Sequence, residues 1–458
     1  MTTGASTRSR RPRAAPRAGW RRFLDTVSVP TLAIITAMII GALVIWITSG
    51  RFSAVVLAYD GLIDGAFLKT RGLSESLVAT VPYILASLAV GLGFKAGLFN
   101  IGVEGQFYIG AVSAAWAGAA FSGLPAIVHL PLAILAGAVG GAIWGAIPGF
   151  LKARTGAHEV INTIMLNYVA FRLTEFLVSG PLRSRSASAV QSTTIAHEAE
   201  LWSLYEVPQR LNDPLNRLGV AILIMALGFM VARWMIVLPR VRDRFTSNGQ
   251  RQQVALVSGV VLGVLAFIGL SPLLNLWWPF QDQYDRLHVG LFLAVVAAVI
   301  VWWLLEKTTI GFELRTVGAN PSAARYAGIS ISKNIVLAMA ISGALAGIAG
   351  TIEVLGVSIC RCLPLFFSSG YGFDSIAIAL LAKANPLGIV PASFLFGAMR
   401  NGADLMELRS GVSKYVISVI QALVLLFVAA PIIVRRLYRI RVERRLEEEA
   451  PITRGWGG

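Results

Sequence analysis

Runs of apolar residues separated by short polar segments follow one another along almost the whole chain. Most runs have the ~18–25 residues that cross a hydrocarbon layer of ~30 Å, although the tenth and eleventh are short. The period-two alternation of a membrane β-barrel is absent from them. The pattern therefore predicts an all-α polytopic transmembrane helical bundle of about 10–12 spans with broken helices. The predicted spans are 29–49, 76–94, 102–121, 127–150, 160–178, 218–238, 253–270, 288–305, 335–356, 372–383, 386–403 and 415–434.

Composition agrees with a chain that is solvated mainly by lipid. Hydrophobic residues make up 56% of the chain and charged residues 14%, and the mean hydropathy is +0.69. A soluble domain carries about 25% charged residues. The few polar positions inside the apolar runs therefore need an explanation, because polar groups at membrane depth must face protein or a water-filled cavity.

The net charge of +16 is distributed as a topology signal rather than as a nucleic-acid-binding surface. Seven arginines lie within residues 1–22, ahead of the first span, and six lie between Arg435 and Arg445, after the last. The positive-inside rule then places both termini in the cytoplasm of a multi-pass inner (plasma) membrane protein. The predicted regions are a basic, disordered tail at 1–28, a transmembrane domain at 29–434 and a basic and acidic tail at 435–458. Basic tails of this kind also attract anionic membrane lipid.

Signatures of an enzyme or a metal site are missing from the sequence. Cys360 and Cys362 are the only cysteines, and we interpret them as incidental thiols, since two cannot make a four-ligand metal site. The four histidines are scattered, with no His-Glu-x-x-His pair, and no Walker A loop occurs. We therefore predict a non-enzymatic chain without a cofactor. If ATP and Mg²⁺ are used, a partner subunit must hold them.

A polar, basic island at residues 311–329 contains a short helix with its own start and stop signals. Asn320 can cap the N-terminus, Pro321 suits the first helical position, and Gly328 suits a left-handed stop. The helix predicted at 321–327 spans ~10 Å, which is too short to cross a bilayer. It either docks onto another molecule or is an ordinary loop helix.

Residues 91–106 combine five glycines with polar side chains that include Asn100 and Glu104. Loosened backbone and polarity at membrane depth are typical of the broken helices that line substrate routes in transporters. A plain cytoplasmic turn, with its charges in water, is the alternative interpretation.

A polar stripe follows on the span that begins near residue 160. Glu159, Thr163 and Asn167 recur every four residues and share a helix face, with Asn162 beside them. Such a stripe faces either a pore or the bundle interior, where it would form hydrogen bonds between helices.

The tenth and eleventh spans are separated by a helix break at Asn385 and Pro386. Two short halves are predicted. Asp374 and Lys383, near the ends of the first half, could line a pathway or could snorkel to the interfaces.

Four segments in this order resemble the inner-membrane permeases of bacterial ABC importers: 94–106, 159–168, 309–329 and 376–388. The family is that of branched-chain amino acid, simple-sugar and nucleoside permeases. The nucleoside permeases that work with basic-membrane-protein-type binding proteins form the most similar branch. The resemblance covers roughly residues 75–435.

The resemblance implies three protein partners. They are an ATP-binding subunit with two nucleotide-binding halves, a second related permease and an extracytoplasmic substrate-binding lipoprotein. It also implies that the short helix at 321–327 is the coupling helix that seats in the ATPase. The residues expected to couple to the ATPase are Arg315, Gly318, Asn320, Pro321, Ala323, Ala324, Arg325 and Gly328. The residues expected to line the substrate pathway are Phe99, Asn100, Glu104, Gln106, Asn162, Thr163 and Asn167.

The segment 211–286 departs from the family pattern, because it holds an additional pair of apolar runs that we interpret as an inserted helix pair packed peripherally. The predicted function is that of a permease subunit that transports nucleosides by alternating access. Simple sugars or branched-chain amino acids are alternative cargoes. A secondary transporter driven by ions is a further alternative, for which the acidic and basic candidates are Glu104, Glu159, Arg172, Glu175, Glu353 and Asp374.

Overall fold

The computed structural model describes residues 17–121, 123–237, 248–430, 433 and 436–438. The described part is helical and contains no strand, only three isolated β-bridges in its loops. The helices are α1 (Arg17–Ser49), α2 (Phe52–Ile63), α3 (Gly72–Lys95), α4 (Val103–Ala120), α5 (Ala126–Thr155), α6 (Glu159–Ser179), α7 (Val207–Arg210), α8 (Pro214–Val237), α9 (Asn248–Leu276), α10 (Gly290–Lys307), α11 (Thr309–Ala319), α12 (Pro321–Tyr326), α13 (Ile331–Ile352), α14 (Tyr371–Leu381), α15 (Pro386–Ser410) and α16 (Tyr415–Ala429). Single π-helical turns extend α2 (Asp64–Leu68) and α13 (Glu353–Val357), and a 3₁₀ turn covers His197–Ala199.

Each of the twelve predicted spans coincides with one of these helices, so the all-α polytopic prediction is confirmed. Within the described part, seven helices are long and apolar enough to cross a membrane by length and composition. The predicted eleventh span ended at residue 403, but α15 continues to Ser410 and is not a short half-helix. We call the end of the bundle at which α3 begins the outer end and the end at which it terminates the inner end, following the predicted orientation.

The centre of the bundle is formed by α3, α4, α5 and α13. In α3 83% of the apolar span is buried inside the protein, and in α13 67% is, whereas the other five candidate spans are 22–28% buried. Helices α3 and α13 are therefore surrounded by protein, whereas the other five candidate spans, α5 included, expose most of their surface.

Glycines bring α5 and α13 into direct backbone contact. A Cβ atom at Gly141 would lie 2.2 Å from the carbonyl oxygen of Gly343, and one at Gly347 would lie 2.2 Å from that of Gly137. Any side chain at these positions would push the two helices apart. The contact is the small-residue packing by which helices associate in membranes.

The segment 50–75, between the first two predicted spans, contains a helix that the apolar pattern did not indicate. In α2, Gly61 and the following Gly65 pack on the backbone of α15 near Gly402 and Met406. At twelve residues, the helix is too short to be recognised as a span. Its stability comes from this contact with α15, which only the tertiary structure reveals.

Three connecting segments interlock at the outer end. Ser192 N–H donates to the Leu363 carbonyl at 2.9 Å, and Ile195 N–H donates to the Arg361 carbonyl at 2.9 Å. Leu204 N–H donates to the Leu287 carbonyl at 2.7 Å. The long connection after α6 is therefore an ordered cap over the central helices.

Cys360 and Cys362 form a disulfide in this cap, so the interpretation as incidental thiols is wrong. The bridge crosses a single residue, Arg361, whose backbone adopts a left-handed conformation with φ of 48°. That unusual backbone is what brings the two sulfur atoms together, and sequence spacing alone could not show it.

The predicted insertion at 211–286 divides into two parts. Helices α8 and α9 pack mainly on each other, as where Met225 meets Gly259 and Gly263. Residues 277–286 instead reach the outer end of α3, where Arg286 pairs with Glu75 at 3.1 Å. The peripheral part is thus α8 and α9 alone.

The predicted tails lie partly within the described residues. Helix α1 begins at Arg17, so residues 17–28 are helical and the prediction of a disordered tail over 1–28 is wrong for them. Residues 1–16, and the predicted tail at 435–458 apart from 436–438, lie outside the described residues.

Candidate functional site: the coupling segment and the buried polar positions

The short helix of the polar island is present as α12, one residue shorter than predicted. The Asn320 side chain accepts hydrogen bonds from Ser322 N–H at 3.0 Å and Ala323 N–H at 3.1 Å, as an N-cap does. Pro321 occupies the first helical position. Gly328 lies beyond the C-terminus with φ of 77°, in the left-handed conformation that glycine tolerates. All three sequence signals are confirmed.

A second helix, α11, precedes α12 and was not predicted. Thr308 caps it by accepting a hydrogen bond from Gly311 N–H at 3.1 Å. Arg315 pairs with Glu306 of α10 at 3.1 Å, and Asn334 of α13 donates to Glu313 at 3.0 Å. The helix before α12 is therefore tied to both neighbouring spans, so Arg315 serves this attachment.

The exposed face of α12 differs from the predicted one. Ala324 is fully buried by the rest of the chain, whereas Tyr326 is 96% exposed. Pro321, Ala323, Arg325 and Gly328 are also exposed. The prediction that Ala324 seats in a partner is wrong, because its methyl group already packs within this chain. Tyr326, which was not among the predicted residues, is the largest side chain on the free face.

Gly318 of α11 contacts the turn between α3 and α4. A Cβ atom at Gly318 would lie 2.5 Å from the Lys95 carbonyl oxygen, and one at Gly97 would lie 2.8 Å from the Gly318 Cα atom. Gly97 has φ of 70° and is exposed. The turn at 96–102 thus lies at the inner end, directly against the helix that carries α12.

Asn100 and Gln106 form a closed hydrogen-bond network. The Asn100 amide nitrogen donates to Gln106 Oε1 at 2.9 Å and to Ser342 Oγ at 2.8 Å. Its oxygen accepts from Gly102 N–H at 3.0 Å. Both side chains are 1% exposed. In this structure the two amides join α4 to α13, and their place in the pathway stays a prediction.

The polar stripe on α6 also serves packing. The Asn167 oxygen accepts from Gly105 N–H at 2.8 Å, and its nitrogen donates to the Ile101 carbonyl at 3.0 Å. Thr163 is fully buried and donates to its own helix at Val160. Asn167 therefore makes hydrogen bonds to the segment around the start of α4, and its place in the pathway stays a prediction.

Phe99 and Asn162 are the two predicted pathway residues that are only half-buried. The Phe99 ring lies 5.1 Å from that of Phe94, between centroids. The Asn162 amide nitrogen is buried, and none of the described residues accepts a hydrogen bond from it. These two remain candidates for the pathway.

Glu104 joins the start of α4 to the segment before α14. Its carboxylate accepts from Ser368 Oγ at 2.6 Å and from Gly372 N–H at 2.5 Å, and the residue is 2% exposed. A Cβ atom at Gly372 would lie 2.4 Å from the Glu104 backbone nitrogen. The irregular segment 358–370 therefore descends from the outer cap into the bundle and ends against α4. Such a path is typical of the broken helices of transporters.

Comparison with known proteins assigns the fold to a family. Residues 72–429 match the family described as branched-chain amino acid transport system / permease component. The chain belongs to this family. The permease is 36% identical over 415 residues to the guanosine ABC transporter permease protein NupP of Bacillus subtilis (strain 168), covering 90% of this chain and 95% of the relative.

Two further relatives match over similar lengths. The nucleoside ABC transporter permease protein NupB of Lactococcus lactis subsp. cremoris (strain MG1363) is 29% identical over 408 residues, covering 89% of this chain and 92% of its own. The glucose ABC transporter permease protein TsgB13 of Haloferax volcanii is 31% identical over 413 residues, covering 90% of this chain and 89% of the relative. No solved structure matches the permease significantly.

Sequence reasoning missed two buried polar residues of the permease. Tyr83 and Arg400 come from different helices and meet Asp374 inside the bundle, and Glu353, named above only as a candidate for ion coupling, lies near Arg400. The sequence did indicate Arg400, because it is the only charged residue in the predicted span 386–403. Their partners could not be inferred, because Tyr83 and Arg400 are separated by 317 positions.

Metal binding has no support within the described ranges. No group of three or more His, Cys, Asp and Glu residues there is placed to hold an ion. The buried carboxylate of Glu104 is instead bonded to a hydroxyl and a backbone N–H group of the protein.

Proposed function

We propose that this permease forms the translocation pathway for nucleosides in an ATP-driven importer. Two relatives that align over about nine-tenths of the chain are named as guanosine and nucleoside permeases, and these names support the cargo. A third relative is named as a glucose permease, so a simple sugar is the second candidate. Membership of a transport-permease family and many apolar helices make the chain a multi-pass membrane protein.

The observation that carries the mechanism is α12, a capped helix of six residues at the inner end that packs on the chain through Ala324 and exposes its other face. We assign it the role of coupling helix. A partner ATP-binding subunit with two nucleotide-binding halves, which hold ATP and Mg²⁺, would receive the exposed face around Arg325 and Tyr326. ATP hydrolysis would then belong to the partner, and this chain would not be an enzyme.

A continuous set of contacts leads from α12 to the bundle interior. Asn320 links α12 to α11, and Gly318 of α11 touches the turn at Gly97. The same turn leads into α4, whose Glu104 holds the segment before α14. Movement of α12 by the ATPase would therefore reach Glu104 through backbone contacts. Alternating access follows if this movement separates α14 from its neighbours.

The remaining partners are assigned by the same family logic. A second related permease would complete the pathway, and an extracytoplasmic lipoprotein would deliver the nucleoside to the outer cap. Both termini would lie in the cytoplasm. Recognition of cargo would be divided between the lipoprotein and the permease, with release inward from a site of low affinity.

Reconstitution tests this proposal directly. The permease is combined in proteoliposomes with its ATPase, second permease and binding protein, and uptake of labelled guanosine, glucose and leucine is measured. We expect ATP-dependent, vanadate-sensitive uptake of guanosine. Uptake driven by a proton gradient without ATP would contradict an ATP-driven importer. ATP-driven uptake of glucose, but not of guanosine, would identify a simple sugar as the cargo.

A further inference from the structure

A network of polar side chains crosses the bundle at the level of the midpoint of α3. Arg400 Nη1 donates to the Tyr83 hydroxyl at 3.0 Å, and that hydroxyl donates to Asp374 Oδ2 at 2.8 Å. The Arg400 guanidinium lies over the Tyr371 ring, 4.2 Å from its centroid. Three helices, α3, α14 and α15, are joined by these contacts. None of the four residues belongs to the coupling segment.

Glu353 adds a second carboxylate from the end of α13. Only 9% of this residue is exposed, and the Tyr371 hydroxyl lies close to its carboxyl group. Glu353 Oε2 is buried and accepts no hydrogen bond of good geometry from the described residues. An acceptor that is left unsatisfied in a buried site is costly, and it identifies a position where a donor is missing.

Carboxyl groups outnumber guanidinium groups around this network. Arg400 lies within it and Arg286 also acts on Glu353, while Glu353, Asp374 and Glu104 contribute three carboxyl groups. Glu104 already accepts two hydrogen bonds from protein groups. Glu353 therefore has the capacity to accept from a ligand that carries hydroxyl groups, and Arg400 lies near it to orient such a ligand.

Aromatic rings lead from the network towards α6. The Tyr371 ring is 5.6 Å from Phe107, which stacks with Phe367 at 5.6 Å. Phe367 in turn is 4.6 Å from Tyr108, whose ring is 4.7 Å from Phe171. Flat rings of this kind stack on nucleobases without requiring a particular base.

We propose that Glu353, Asp374 and Arg400 form a binding site for the ribose hydroxyls of the nucleoside, with the base stacked against the adjoining aromatic rings. This inference rests on the proposed function, and it assigns the recognition of the sugar to residues of the permease itself. Tyr83 and Tyr371 are 1% and 3% exposed, so the site is closed in this structure and opens when α14 moves away from α3. The ligand supplies the donor that Glu353 Oε2 lacks.

The test compares two substrates in two proteins. Uptake of guanosine and of 2′,3′-dideoxyguanosine is measured in proteoliposomes that contain the whole transporter, with the unmodified permease or with Glu353→Gln. The glutamine keeps the shape of the side chain but replaces an acceptor with a donor. We expect guanosine uptake to fall about tenfold, a typical loss for one hydrogen bond to a charged group, while dideoxyguanosine uptake is unchanged.

The ratio of the two rates separates recognition from structure. A variant that merely folds less well lowers both rates equally, and that result would overturn the assignment. The binding protein is the same in both samples, so its own preference cancels. If the unmodified transporter imports no nucleoside at all, the proposed function fails. If the unmodified transporter imports guanosine, and the ratio of guanosine to dideoxyguanosine uptake is the same for Glu353→Gln, only the assignment of the site is wrong.

A labelling experiment tests the location without altering the site. Both cysteines of the permease are in the disulfide, so Ser369→Cys introduces the only free thiol. Ser369 is exposed and adjoins Ser368, which binds Glu104. We expect millimolar guanosine to slow alkylation of this thiol at least threefold and to leave the matched control Ser413→Cys, which is exposed beyond α15, unaffected. Equal rates with and without guanosine at Ser369→Cys would contradict the assignment.

Discussion

Gly97 and Gly318 meet backbone to backbone, so that a Cβ atom on Gly97 would lie 2.8 Å from the Cα atom of Gly318. The contact joins the turn between α3 and α4 to the helix that carries α12. In the proposed mechanism a force on α12 enters the central bundle at this contact.

Gly318→Ala tests this contact. Its methyl group would lie 2.5 Å from the Lys95 carbonyl oxygen, so α11 must move away at a cost of about 1–3 kcal/mol. We expect normal insertion and at least a fivefold loss of ATP-driven uptake. The control is Gly269→Ala, because nothing lies within 4 Å of a Cβ atom there. Equal uptake by the two variants would show that the contact transmits nothing.

Tyr326→Ser tests the docking face of α12. Tyr326 is 96% exposed, so its removal leaves the fold of the permease unchanged. An aromatic side chain at the centre of an interface is a typical anchor, and we expect the ATPase to be lost on co-purification. Tyr415→Ser, at a 74% exposed tyrosine near the outer end, is the matched control.

Ala324→Asp should behave differently from Tyr326→Ser. Because Ala324 is fully buried within the chain, the carboxylate would be desolvated in the permease itself. We expect less permease in the membrane, as measured by immunoblot of washed membranes. If Ala324→Asp is present in normal amounts and only the ATPase is lost, Ala324 contacts the ATPase, as the sequence predicted.

Two deletions test the helix pair α8 and α9. Asn212 accepts hydrogen bonds from Ser271 at 2.7 Å and Asn275 at 3.0 Å, so the two ends of the pair are adjacent. Deletion of 214–276 with a short Gly-Ser linker should leave uptake within twofold. Deletion of 211–286 should abolish it, since the Arg286–Glu75 pair and the hydrogen bond from Trp278 Nε1 to the Leu204 carbonyl are then lost. Equal loss in both would place the pair in the core.

His288 predicts a dependence of stability on pH. Burial, aided by the nearby cations Arg361 and Arg286, lowers the pKa of this imidazole from 6.5 to about 3. As pH falls below 6.5, His288 binds a proton in the unfolded chain but stays neutral in the folded chain. The free energy of unfolding therefore decreases from pH 6.5 towards pH 3. His288→Asn keeps an acceptor for the Gly290 N–H, which now donates to His288 Nδ1 at 3.1 Å. We expect the melting temperature in detergent to fall less for this variant between pH 7 and 5; parallel curves would contradict the assignment.

The sequence predicted local features far better than contacts between distant residues. Asn320, Pro321 and Gly328 predicted α12 correctly, because the capping of a helix depends only on residues that are neighbours in the sequence. The amides of Asn100 and Asn167 looked like pathway residues, yet their partners lie on other helices and satisfy them. A polar residue in a span predicts burial among polar groups, and only the fold decides whether those groups belong to protein or cargo.

The same limit explains the missed binding site and the error at Ala324. Arg400 and Tyr83 are far apart in the chain, so no periodicity relates them. The buried side of α12 depends on how α11 and α13 hold it, and a helix of six residues has too few positions to show an apolar face. Helix α2 escaped detection for a similar reason, since its contact surface on α15 is formed by glycine backbone.

The glycine contacts between α5 and α13 restrict how the transporter can move. Gly141 and Gly343 leave no gap into which either helix could slide, and Gly110 of α4 presses on Gly347 in the same way. We therefore expect α4, α5 and α13 to move together as one rigid unit. In the proposed mechanism the change of access then occurs between this unit and α14 with the irregular segment before it, so that this half-helix is the movable wall of the gate.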